Sequence, residues 1–122
     1  MAVLCDFKFT SFVKIDNEEE KIEFVTKGYK NNKEDELVYY FKNDNEYKFV
    51  IKGDILVVFV NDSKYSFNIN KKTEALINNE GYCYKASIST NKLLLESNKI
   101  EIEYVIDFTS FKGEYKIILE LH

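Results

Sequence analysis

The chain contains no arginine, no proline and no tryptophan, and its single histidine is the last residue, His122. All seventeen basic residues are therefore lysine. Arginine supplies the planar fork that grips a carboxylate or phosphate at two points. Without it the chain has no arginine finger and no bidentate contact to guanine. A formal charge of −4 and an isoelectric point near 5.1 also argue against a nucleic-acid footprint, so no nucleic-acid partner is expected. The abundance of lysine, asparagine, isoleucine, phenylalanine and tyrosine follows from AT-rich codons and needs no functional reading.

With no internal histidine, no Ser-His or Cys-His nucleophile can be assembled within the domain. A terminal residue is ordinarily frayed, so His122 is not a substitute. The two cysteines, Cys5 and Cys83, and His122 lack the paired spacing of a zinc site. The cysteines fit a reduced compartment, each as a small core residue on a strand. The acidic runs Asp16–Glu20 and Glu34–Glu36 lack the spacing and central glycine of a calcium loop and read as solvated faces. Four glycines, at 28, 53, 81 and 113, are too scattered to cradle a phosphate. No cofactor and no metal are expected.

The N-terminal stretch through Asp6 and Lys8 lacks the basic start and apolar run of a signal peptide. No stretch approaches the roughly 18 apolar residues of a membrane span. A cytoplasmic protein without a membrane partner is the expectation.

What the chain does have is aromatic residues, ten Phe and nine Tyr, which favour pleated, half-buried surfaces. They recur with a period of two. Tyr47, Phe49 and Ile51 alternate with Lys48 and Lys52. Ile100, Ile102, Tyr104 and Ile106 alternate with Glu101, Glu103 and Asp107. Tyr115, Ile117, Leu119 and Leu121 alternate with Lys116 and Glu120. This is the pattern of a strand wet on one side. Ile55 to Val60 is apolar throughout, which predicts cover on both faces or a partner on the outer one. Phe12 breaks the parity of Phe7, Phe9 and Val13, which predicts a bulge or bend at Thr10 to Phe12.

Strands are expected at 3–15, 21–30, 36–42, 46–52, 54–60, 64–70, 82–90, 92–97, 99–107 and 114–121, with weak helical character at Thr73 to Asn79. Short turn signals such as Gly53-Asp54 and Asn61-Asp62-Ser63 join antiparallel neighbours. The expected architecture, over residues 1–122, is a single all-β domain. Its fold would be an antiparallel meander β-barrel of about 8–10 strands, since closure hides the edges.

The order of several stretches resembles the YwiB-like family, bacterial proteins of unknown function. They include Ile22-Glu23-Phe24-Val25-Thr26-Lys27-Gly28-Tyr29, Leu37-Val38-Tyr39-Tyr40-Phe41 and Val50-Ile51-Lys52-Gly53-Asp54-Ile55-Leu56-Val57. Tyr65-Ser66-Phe67, Thr90-Asn91-Lys92-Leu93, Ile100-Glu101-Ile102-Glu103-Tyr104 and Tyr115-Lys116-Ile117-Ile118-Leu119 continue it. The resemblance spans Val13 to Leu121 and implies a calycin-like (lipocalin-like) barrel with room for a cavity. Two departures stand out: Phe59 occupies the place of a family arginine, and a family glycine after Phe67 is absent.

Glu101 and Glu103 share a strand face that reads as wet exterior, so a carboxylate pair for acid–base chemistry is not expected. The candidate site is instead the barrel interior, with Tyr39, Tyr82, Tyr84, Thr90 and Tyr104 as ligand-facing residues and Thr26 running past them. Tyrosine joins an apolar body to a polar tip and lines pockets well. The expected function is non-enzymatic binding of a small apolar or amphipathic ligand in the interior. The alternative is a protein-interaction module, or a homodimer formed through the apolar 55–60 strand.

Overall fold

Alternation dominates the chain, and the alternating segments become strands. The computed structural model describes residues 2–122 and contains ten of them. They are β1 (Ala2–Ile15), β2 (Glu18–Asn32), β3 (Leu37–Lys42), β4 (Glu46–Lys52) and β5 (Ile55–Val60), followed by β6 (Ser63–Phe67), β7 (Thr73–Asn79), β8 (Tyr82–Glu96), β9 (Lys99–Asp107) and β10 (Lys112–Leu121). Each strand pairs antiparallel with its neighbours in sequence, and β1 pairs with β10 to close the barrel. The fold is thus an all-β, closed ten-stranded antiparallel meander, consistent with a calycin-like barrel. Among the described residues no helix forms, and none long and apolar enough to cross a membrane is present.

Tight turns make the meander. Asp16 and Asn17, both at positive φ (50° and 69°), join β1 to β2 as a two-residue hairpin. Gly53, at φ 64°, turns β4 into β5 where a side chain would be strained. The Asn61 side chain accepts from the Glu46 N–H at 2.9 Å and donates to Asn45 Oδ1 at 2.8 Å, tying two turns at one end of the barrel.

Inward residues of β1 to β4 form one aromatic cluster. Phe41 stacks on Phe7 and Tyr47 with ring centroids 5.1 and 5.0 Å apart, and Phe9 lies 4.9 Å from Tyr47. Phe67, Tyr104 and Tyr115 form a second cluster across the barrel, at 4.6 and 5.1 Å. Ile88, Ile100, Ile102, Ile106 and Leu119 fill the wall around them. Such offset and edge-on contacts add about 0.5–1.5 kcal/mol per pair to simple burial.

Four expectations are corrected. Thr73 to Asn79 is strand β7, paired residue for residue with β8, so sheet pairing overrides the helix propensity of Glu74, Ala75 and Leu76. The segments 82–90 and 92–97 are one strand, interrupted by a register shift between Thr90 and Lys92 that leaves Asn91 as a bulge. No bulge falls at Thr10 to Phe12; β1 keeps register with both neighbours, and Phe12 points outward beneath the Lys21 ammonium, 5.5 Å from its ring centre. Both cysteines lie on strands as free thiols, but only Cys5 is half-buried; Cys83 is exposed rather than a core residue.

Candidate functional site

The five residues read as an interior site divide between two environments. Tyr39, Thr90 and Tyr104 are buried inside the barrel. Tyr82 and Tyr84 are not; they are 69% and 55% exposed, and their assignment to the interior is corrected. Their parity is right, since they fall on the same strand face as buried Ala86 and Ile88. However, β6 pairs with β7 only at Leu76 and Ala75, and β9 joins β8 only from Ser87 onward. The end of the β7–β8 hairpin therefore extends past the neighbouring ladders.

Inside, Tyr39 meets Phe7 edge-on at 5.9 Å, and Tyr104 is sandwiched between Phe67 and Tyr115. Burial raises the Tyr39 phenol above its ordinary value, with the nearby Cys5 thiol adding to it. Burial likewise raises Tyr104 strongly, and the adjacent Tyr65 and Tyr115 phenols push the same way. Tyr65 and Tyr115 are raised chiefly by burial as well. These phenols stay protonated at neutral pH, so the cluster offers hydrogen-bond donors and no base. Tyr39 Oη and Thr90 Oγ1 are buried without a hydrogen-bond partner among the described residues. Thr26, in contrast, donates to the Lys42 carbonyl at 3.0 Å.

A broad concavity lies elsewhere. It is a cleft of about 760 Å³ over β2, β1, β10 and β9. Phe12, Lys14, Lys21, Glu103, Glu114 and Lys116 bring side chains of outward parity to it, and the Asn91 bulge and the Tyr104 position border it. Phe12, 38% exposed, supplies an apolar surface among charges of both signs. A broken parity is the signal in sequence that marks it: an aromatic residue at an even position beside inward Phe7, Phe9 and Val13 must point outward.

Beside this cleft, Glu101 departs from expectation. It lies on the outer face, yet only 7% of it is exposed, whereas Glu103 is half-buried. Leu94 and Ile118, its direct neighbours across the two ladders, flank it. Lys92 forms an ion pair with it, and Lys116 Nζ lies 3.8 Å away. The hydrogen bond from Lys92 holds the carboxyl below its usual range and raises the lysine in turn. The Glu101–Glu103 pair is thus wet only at Glu103, and its buried carboxylate is committed to lysine.

On β5, Leu56 and Val58 face the core while Ile55, Val57 and Phe59 face out. Lys48 and Lys64 reach over Phe59, at 5.8 and 6.0 Å from its ring centre, and Ile55 remains 41% exposed. The apolar run is covered by the core on one face and partly by lysine stems on the other.

No family model matches the chain, and no curated protein matches it. Among solved structures it is similar to the crystal structure of the ywiB protein from Bacillus subtilis, with a TM-score of 0.73 over 98% of this chain and 92% of that one. The chain has the ywiB fold. Sequence identity between the two is 18%, so the likeness speaks to the fold. It bears out the YwiB-like resemblance read from the order of strand motifs. In this chain's version of the ywiB fold, the interior is lined by packed aromatic rings and an open cleft lies outside the β9–β10–β1–β2 wall.

Proposed function

We propose that the chain is a non-enzymatic binding barrel that takes a small amphipathic molecule in the outer cleft over Phe12. The cleft carries this reading. Its volume, about 760 Å³, falls in the range of small-molecule sites, and it combines one exposed aromatic ring with convergent cations and carboxylates. A ligand with an apolar body and a charged end would lay the body on Phe12 and pair the end with Lys14, Lys21 or Lys116. The raised phenols of the neighbouring tyrosine cluster favour binding over acid–base catalysis. A calycin-like assignment and a cytoplasmic setting accord with the closed meander and the free thiols. The reading differs from interior binding in location, because Tyr39 and Tyr104 are packed among rings.

Titration with the amphipathic dye 1-anilinonaphthalene-8-sulfonate, followed by fluorescence, tests it. Phe12→Glu should weaken dye binding at least about tenfold, and the interior variant Tyr39→Phe should leave it unchanged. Binding that survives Phe12→Glu, or that changes with Tyr39→Phe, would remove the cleft from consideration. Assembly through β5 is the second reading, favoured by exposed Ile55 beside Val57 and Phe59.

A further inference from the structure

A closed barrel should leave few strand edges bare, yet β2 has a long one. Its ladder with β1 runs from Glu18 to Asn31, whereas its ladder with β3 covers only Gly28 to Asn32. From Glu18 to Lys27 the second edge of β2 has no ladder partner among the described residues. The hydrogen bond from Thr26 Oγ1 to the Lys42 carbonyl, at 3.0 Å, marks where that edge meets the barrel wall. Side chains along it are open to solvent: Ile22 is 45% exposed and Val25 is 69% exposed.

Proteins commonly protect an edge with like charges that repel a second strand. Glu18 to Glu20 are like charges of that kind, but the middle of this edge does the opposite. About Ile22 the sequence is charge-complementary to itself, with Lys21 before it and Glu23 after it. Consider a second copy laid antiparallel along the edge, on a two-fold axis perpendicular to the sheet through Ile22. Ile22 then faces Ile22 of the other copy, and each Lys21 faces a Glu23. Residues directly opposite in an antiparallel pair share a face, and the parity is satisfied because Lys21 and Glu23 both point outward. Glu18, Glu19 and Glu20 meet Thr26, Val25 and Phe24, so no acid faces an acid. Centring the axis on Lys21 would oppose lysine to lysine and Glu19 to Glu23. Centring it on Glu23 would oppose glutamate to glutamate. Centring it on Phe24 would oppose Lys21 to Lys27, and centring it on Val25 would match Glu23 with Lys27 but pair only a short stretch of the edge. The charges therefore select the Ile22 register among the long ones that keep both barrels on the same side of the joined sheet.

We propose that β2 is a self-association edge on which a second copy of this chain adds its own β2, giving a two-fold symmetric dimer with a continuous sheet. The contact is isologous, so it closes at two copies. Main-chain hydrogen bonds along Glu18–Thr26 would supply affinity, and the paired charges would set the register. Covering Ile22 in both copies removes exposed apolar surface at the centre of the contact. The inference does not rest on the ligand reading: Lys21 also borders the cleft, but sedimentation reads association with no ligand present.

Sedimentation equilibrium of the full chain tests it, with hydrogen exchange as a local probe. The wild-type chain should sediment at twice its 14.4 kDa mass, with amides between Glu18 and Thr26 gaining protection as concentration rises. Lys21→Glu opposes glutamate to glutamate at both symmetric positions and should weaken association at least about tenfold. Adding Glu23→Lys to it restores opposite charges in the same register, and the double variant should return to within about threefold of wild type. Lys21 is more than half exposed, and its ion pair with Glu23 and its contact with the half-exposed Phe12 ring both lie at the surface, so circular dichroism should show all three chains equally folded. A wild-type monomer up to millimolar concentration would overturn the proposal. So would a dimer indifferent to Lys21→Glu, or a double variant that stays monomeric. A monomer that instead takes up an extended peptide on this edge would also overturn it, by assigning the edge to a different occupant.

Discussion

Lys92 and Glu101 are diagonal neighbours across the β8–β9 ladder, joined by an ion pair on the outside of the barrel with the carboxylate buried. Leu94 and Ile118 shut water away from Glu101 on its two sides, and Lys116 stands by on β10. The carboxylate is thus paired where desolvation would otherwise penalise it.

This pair predicts a pH dependence of two signs. The folded pKa of Glu101 is lowered, so its contribution is present above the ordinary carboxylate range and fades as pH falls through the folded value. The folded pKa of Lys92 is raised, so its contribution is present below the ordinary lysine range and fades as pH rises through the folded value. Glu101→Gln should lower the urea midpoint at pH 7. The gap to wild type should narrow below about pH 4 and close in stronger acid. A gap that is constant with pH would show that packing, not charge, is what the substitution removes.

Gly28 is required by contact, not by backbone angle. A Cβ there would intrude on the Tyr40 carbonyl oxygen and lie 2.7 Å from Phe41 Cβ and 2.9 Å from the Phe7 ring. Two of these obstacles belong to the paired strand β3 and cannot swing aside. Gly28→Ala should cost about 3 kcal/mol, read from urea unfolding. A neutral result would mean that β2 and β3 can separate locally at no cost.

The buried hydroxyls of Tyr39 and Thr90 have no partner among the described residues, and each carries a desolvation penalty. Tyr39→Phe and Thr90→Val should each leave stability unchanged or raise it by up to about 1 kcal/mol. A loss above that size, measured by thermal unfolding, would reveal an ordered water or another partner at the hydroxyl.

Phe41 and Tyr82 test how environment separates aromatic residues of one chain. Phe41 touches Phe7, Phe9, Phe24, Tyr47 and Phe49 in the core, so Phe41→Ala should cost about 4 kcal/mol. Tyr82 is 69% exposed, so Tyr82→Ala should stay within about 0.5 kcal/mol of wild type. Chemical denaturation of both variants checks the contrast.

That contrast also explains what was legible in the sequence. Parity could be read wherever one face of a strand is wet, so the inward rows through Tyr47 and Phe49, and through Ile100 to Ile106, were placed correctly. Tyr82 and Tyr84 have the same parity as the core, but parity says nothing about whether another wall stands opposite. Only the ladder lengths of β6 and β9 decide that, and they depend on pairings distant in sequence. Thr73 to Asn79 was hidden for a related reason: its residues favour helix locally, and the partner that holds them extended is β8. The Asn91 bulge and the burial of Glu101 are likewise products of register. The outer cleft left one trace, the misfit parity of Phe12, which reads as a kink until the unbroken β1 ladders show it to be an outward ring.

Every ladder but one joins strands that follow each other in the chain; the exception is β1 with β10, where Phe7 faces Leu121. Local hairpins can form early and independently, but this seam must bring together residues at opposite ends of the sequence. Substitutions along it, such as Leu119→Ala opposite Phe9, should therefore change the order of events as well as the total stability. If ring closure comes after the rate-limiting barrier, they leave the refolding rate nearly untouched and accelerate unfolding. The lifetime of the folded molecule would then be set at one junction.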